Sequence, residues 1–306
     1  MPPLRLLPYL PMLAALVACG DSSPQDAGGS GSTRVLLSDA PFPFDRVARV
    51  DLYIVSVSGS LSPDTSAAGT FVTLAAPHRS INLLALQNGA FDELGRLDLP
   101  AGIITAVRLV IDTDSSSITL KDGRVLTGAS SPGIAWQSSA GRPTLNALIQ
   151  EQILVPDAGG TVAIDFDVGK AFIPPQEVDP TSTDEGFIFS PVLRAADGTR
   201  TGSIIGRVAF GGQPVTDASL RLYLGNPADP ENTWSVLGTA HSSAAGGFTF
   251  SFVTRSDYWS GVPAQQASRY IVAVDPPSGL GAGRVLLPDV AVAAGQATDL
   301  GMIPLP

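Results

Sequence analysis

The chain has one cysteine, Cys19, and its thiolate is the side chain best suited to attack an external electrophile. A single cysteine forms neither an intrachain disulfide nor a Cys-based metal site. Two carboxylate pairs come next. Asp165 and Asp167 are two apart in an alternating apolar run, which predicts one strand face and a separation of roughly 6.5–7 Å. Such a pair could bind a cation or serve acid/base hydrolysis. No His, Lys or third acid is tied to it in sequence, so a solvent-facing polar edge is the expectation. Asp112-Thr-Asp114-Ser-Ser116 begins like a calcium loop, but Ser117 and Gly123 replace the loop's glycine and its bidentate glutamate, so a solvated turn is expected. His78 and His241 are flanked by small or turn residues and read as loop residues. No catalytic residue, metal ligand or cofactor is assigned.

Binding chemistry rests on aromatics. Trp136, Trp234, Tyr258 and Trp259 lie in Gly/Ser/Pro/Asn-rich stretches where loops are expected. Loops carry binding more often than strands, and such rings stack on sugars; tryptophans also plug sandwich ends. Gly-x-Ser-x-Gly and Gly-x-x-x-x-Gly-Lys are both absent. Gly279-Leu-Gly-Ala-Gly283 lacks the spacing and following helix of a dinucleotide loop and reads as an interstrand loop.

Cys19 is positioned by what precedes it. Leu10–Ala18 is an apolar run too short for the roughly 20 residues that span a bilayer, and Arg5 is the only charge before it. This is the layout of a secretory signal. The quartet Leu16-Val17-Ala18-Cys19 resembles the bacterial lipobox. That resemblance implies that Leu16 and Val17 are recognised, that cleavage follows Ala18, and that Cys19 receives a diacylglyceryl anchor with acyl chains such as palmitate. Two or more chains anchor stably where one does not. Position 20 is Gly rather than the Asp that retains lipoproteins in the inner membrane, so a cell-envelope site at the outer membrane is expected. Residues 19–32, Gly/Ser-rich and without large apolar side chains, read as a flexible tether.

Composition narrows the rest. With 18 Lys+Arg against 28 Asp+Glu, the formal charge is −10 and no basic face for nucleic acid is expected. The same charge repels anionic lipid, which leaves membrane attachment to the N-terminal lipid. Glycine and proline fall between apolar segments, the pattern of turn-rich β structure.

Val50, Leu52 and Ile54 alternate with polar or outward positions, as do Val107, Leu109 and Ile111, and then Val162, Ile164, Phe166 and Val168. Asp122-Gly123 between β-prone runs predicts a type I′ hairpin turn. Phe91 and Leu94, spaced i, i+3, predict a short helix over Ala90–Leu94. These blocks carry a resemblance. Leu37-Ser-Asp-Ala-Pro41, Ile81–Gly89, Leu97–Gly102, Ile164-Asp-Phe-Asp167 and Phe189–Arg194, in that order, resemble the DUF4382 family. The stretch Ser130–Leu148 departs from the family's usual turn and strand. The resemblance implies a bacterial lipoprotein domain over 33–196 and supplies no catalytic residue.

Ala195–Gly202 is a polar break. After it, Gly206–Val208, Pro214–Leu220, Gly247–Phe250 and Tyr270–Val274 resemble the carboxypeptidase regulatory-like (transthyretin-like) domain over 203–306, with an insert at Ser256–Ala267. About seven short strands in that length suit an immunoglobulin-like sandwich.

The sequence thus predicts an all-β chain: signal peptide 1–18, tether 19–32, and two tandem antiparallel β-sandwiches. The expected function is a non-enzymatic envelope lipoprotein that binds or spaces a glycan or a partner protein. The rival is a carboxylate- or metal-dependent hydrolase using Asp165 and Asp167.

Overall fold

The computed structural model describes residues 30–39, 46–62, 71–87, 89–136 and 141–306. The signal, the Leu16–Cys19 quartet and the tether as far as Gly29 lie outside the described residues. What is described is all-β, in two sandwich-like units.

In the first unit the long strands Val47–Ser60 and Ala106–Leu120 pair antiparallel, and the alternating residues Val50, Leu52, Ile54, Val107, Leu109 and Ile111 all point into the core. From this pair the sheet runs through Thr144–Ile149, Leu193–Asp197, Thr161–Phe166 and Ser30–Asp39 to Asp92–Pro100. It folds over at Thr144–Ile149. The first half of that strand pairs antiparallel with Ala106–Leu120, while Leu148 and Ile149 run parallel with Arg194 and Ala195. The two ends of the sheet come together, since a Cβ built on Gly95 would stand 3.1 Å from the Cβ of Ala75 of Phe71–Ala75. One core fills the space inside.

Four expectations change in this unit and its pairing. The sandwiches are not purely antiparallel: Ser30–Asp39 runs parallel to Thr161–Phe166, and Ile134–Trp136 runs parallel to Phe187–Phe189 within the stretch that departs from the family pattern. Parallel partners need long connections, and local alternation does not register them. The expected tether ends early, because Ser30–Ser32 already pair with Asp98–Pro100. Gly31 is glycine because backbones touch there; a Cβ on it would lie 1.8 Å from the nitrogen of Gly159. The helix expected over Ala90–Leu94 is instead the start of strand Asp92–Pro100, with Leu94 buried and Phe91 57% exposed. A helical turn forms earlier, at Leu83–Leu86, where the i, i+3 pair Leu83 and Leu86 is buried together. The Asp122-Gly123 hairpin is present but its turn is not type I′. Only Gly123 has positive φ, at 90°, and its N–H bonds to Leu120 O at 3.0 Å. That is a type I turn closed by a glycine bulge.

The polar break is a turn of three residues, 198–200, between strands Leu193–Asp197 and Thr201–Phe210. Buried Asp197 shapes it, accepting hydrogen bonds from the N–H of Thr199 at 2.9 Å, its hydroxyl at 2.6 Å and the N–H of Leu154 at 3.2 Å.

The second unit stacks two four-stranded sheets. Thr201–Phe210 is flanked by Gly247–Thr254 and, in parallel, by Ala297–Pro304, with Gln213–Pro214 at its end. The facing sheet runs Ser235–His241, Ser219–Gly225, Arg269–Asp275, Val285–Val290. Ile204, Leu220, Phe248, Phe250, Tyr270 and Val272 meet between them. The Ser256–Ala267 insert forms the short helix Ser256–Gly261 and the turn Pro263–Gln265.

Candidate functional site

The carboxylates with candidate chemistry gather where the second unit sits on the first. Strand Thr161–Phe166 stops at Phe166, so Asp165 and Asp167 do not share a strand face. Asp165 stays on the strand, accepting from Ser38 Oγ at 3.1 Å and pairing with Arg194 at 2.7 Å. Asp167 caps the four-residue helix Val168–Ala171. Its carboxylate takes the Lys170 N–H at 3.1 Å and pairs with Lys170 Nζ at 3.1 Å. Neither lies on the solvent-facing edge that the sequence predicts. Thr239 of the second unit donates to Asp167 Oδ2 at 3.4 Å, and a Cβ on Gly238 would stand 3.4 Å from the Arg194 guanidinium. This face of the strand, Ala163 and Asp165, is covered by the second sandwich.

The space left there is about 50 Å³, lined by Asp165, Arg194, Gln150, Thr239 and Thr254 among others. A water needs roughly 10–15 Å³ measured this way, and ligand pockets run to about 300–1,000 Å³. The cavity is of a size for a few waters and has no room for a substrate.

Glu151 is the other half of this joint. It is buried, and both Arg200 of the connecting turn and Arg255 of the second unit pair with it, the latter at 3.3 Å. Next to it, Tyr258 donates its hydroxyl to Gln150 O at 2.9 Å. Burial pushes the Glu151 carboxyl above the usual carboxylate range, and the two guanidiniums only partly oppose that.

The remaining sequence candidates are dispersed. Asp112, on the long strand Ala106–Leu120, pairs with Arg142 at 3.0 Å and accepts the Ser115 N–H, which together lower its pKa. Asp112–Ser116 is therefore strand and not the solvated turn expected, and Asp114 is exposed. His78 is exposed, in the left-handed region at φ 47°. His241 ends a strand rather than lying in a loop, with Nδ1 2.8 Å from Asp217. Among the described residues no three His, Cys, Asp or Glu side chains converge as metal ligands.

The four aromatics part company. Trp136 is on strand Ile134–Trp136, edge-on to Phe172 and Phe189 with ring centroids 6.1 and 4.7 Å away. Trp259 lies in the helix Ser256–Gly261 and is 8% exposed; its indole N–H donates to Tyr270 OH at 2.6 Å, and that hydroxyl donates to Thr254 O. Burial raises the Tyr270 pKa well beyond the phenol range. Tyr258 sits on the joint. Of the two roles that the sequence leaves open, Trp259 and Tyr258 take the packing one, because the insert folds back onto the sandwich. Trp234 remains half-buried on the outer face of the second unit, against Tyr223 with centroids 5.7 Å apart. Beside it Glu231 holds Arg284 through two bonds of 2.6 and 2.7 Å and accepts from Tyr223 OH; the arginine bonds lower the Glu231 pKa.

No signal in the sequence pointed to Glu151, Arg255 or Thr239, which meet only through the fold. The same holds for a second, wider cleft between the units, of about 360 Å³, walled by Phe91 and Phe252.

The geometry defines a class first: an all-β protein of two sandwiches joined through a buried polar seam. The model of the DUF4382 family, a domain of unknown function, matches residues 30–191, more than half of the chain, and the chain belongs to that family. No curated protein matches it. Among solved structures, a 9R-lipoxygenase from Cyanothece is similar at 13% identity and TM-score 0.23, covering 36% of this chain and 17% of its own. A Streptococcal ancillary pilin is similar at 12% identity and TM-score 0.22, covering 90% of this chain and 62% of its own. The shaft pilin SpaA from Lactobacillus rhamnosus GG is similar at 10% identity and TM-score 0.21, covering 90% and 98%. The chain spans less than two thirds of the first two, and at such TM-scores none of the three carries an argument.

Proposed function

We propose that this DUF4382 protein is a lipid-anchored cell-envelope protein, attached through Cys19 at the outer membrane, whose two sandwiches act together as a non-catalytic module that binds or spaces a glycan or a protein partner. One observation supports the non-catalytic part above others. The carboxylates that could have done hydrolysis, Asp165 and Asp167, are each ion-paired at a seam with room for a few waters only. Both carboxylates are taken up by partners within the first unit, Arg194 and Lys170. The matched family names no activity, and no helix among the described residues is long and apolar enough to cross a membrane. A lipid on Cys19 accounts for attachment without one.

Residues 203–306 read as a carboxypeptidase regulatory-like domain. Two facing four-stranded sheets support this, as does the placement of Gly206–Val208, Gly247–Phe250 and Tyr270–Val274 on three core strands.

The test is fractionation of cells making the full chain or Cys19→Ser, with the mass of the mature N-terminus. The reading expects a lipid-modified, membrane-bound wild type and a variant released from the membrane. Equal membrane retention with an unchanged N-terminal mass would remove it.

A further inference from the structure

We propose that the cleft between the two sandwiches, walled by Phe91 and Phe252, is a binding site for an uncharged sugar chain of two or more units. The proposal deepens the binding-module reading above and commits it to one place and one ligand class.

Three observations converge. The first is backbone conformation. Opposite Gly202–Ile204, strand Gly247–Thr254 carries an extra residue, and Phe252 takes φ 51° there. Glycine is the usual occupant of a left-handed bulge position, and a bulky residue in it is an outlier. Backbone strain of this kind clusters at ligand clamps, and Phe252 lines the cleft. The second is Phe91. It is 57% exposed and lines the same cleft from the other sandwich, just after Gly89 at φ 87°. An exposed ring on one side of the cleft and a half-buried one on the other are what a pyranose, apolar on its C–H faces, would cover.

The third is the polar lining. Ser203, Thr249, Ser251 and Gln296 bring three hydroxyls and an amide, and none of these side chains bonds to another described residue. Among the described residues no ionisable side chain lines the cleft, although the chain as a whole carries −10. Anionic and cationic ligands would enter without a counter-charge; a neutral polyol would find donors and acceptors. At about 360 Å³ the cleft falls in the lower range of ligand sites, about 300–1,000 Å³.

The experiment is titration of the purified full chain with cellobiose, maltose and chitobiose, by calorimetry and saturation-transfer NMR. At least one should bind, with affinity unaltered between low and molar salt. Phe91→Ala should weaken that binding roughly tenfold with its melting curve intact, since the ring is exposed. Gln296→Ala should weaken it as well. Absence of binding by all three sugars overturns the proposal, and so does binding that Phe91→Ala leaves unchanged. A sugar that survives Phe91→Ala but is lost in Trp234→Ala would remove the cleft while leaving the binding-module reading standing.

Discussion

Phe252 and Glu151 are the residues whose physical situation is most unusual. Left-handed backbone costs a non-glycine residue about 1–2 kcal/mol, so at position 252 the ordinary ranking of alanine over glycine in a strand should invert. Phe252→Gly should be more stable than Phe252→Ala by about 1 kcal/mol in urea denaturation; the reverse order would mean that the bulge is not held as described. For Glu151 the sign follows from its raised pKa in the folded state. Its contribution to stability is fully present below the unfolded pKa and is lost as pH rises through the folded value. The melting temperature of Glu151→Gln relative to wild type should therefore climb as pH rises from the acid side toward neutrality. A difference that falls with pH would contradict the dominance of burial over Arg200 and Arg255. Trp259 is a third case: it is buried and bonded to Tyr270. Trp259→Ala should cost about 3–5 kcal/mol, whereas Trp234→Ala should cost much less by the same thermal scan.

At the scale of elements, the first strand turns on Gly31. A methyl there would collide with the Gly159 backbone. Gly31→Ala should destabilise by about 3 kcal/mol, while Gly261→Ala, with open space around it, should stay within about 0.5 kcal/mol. Equal melting temperatures for the two would return Ser30–Ser32 to the tether. This element shows where sequence reading succeeded and where it failed. The alternation of Val50, Leu52 and Ile54, and of Val107, Leu109 and Ile111, reports burial directly, and both runs are core strands. Gly31 sits in a Gly/Ser run that looks like linker, because close backbone approach has the same composition as flexibility. Phe91 and Leu94 have helical spacing, yet strand Asp92–Pro100 won through its pairing with Ser30–Asp39. Such partners lie far away in sequence and leave no local trace. The joint is the extreme case, with Tyr258 and Gln150 separated by 108 positions.

For the whole molecule, Asp167 and Glu151 fasten two sandwiches into one body. The three-residue turn keeps them adjacent, and the bonds from Arg255, Tyr258, Thr254 and Thr239 fix the contact. A spacer or binding surface that spans both units, like the Phe91–Phe252 cleft, requires that rigidity. Scanning calorimetry tests it directly by comparing the full chain with a Glu151→Ala/Tyr258→Phe double variant. The account predicts one cooperative transition for the wild type and two resolved transitions for the variant. Two independent transitions in the wild type, or a single unaltered one in the variant, would contradict it.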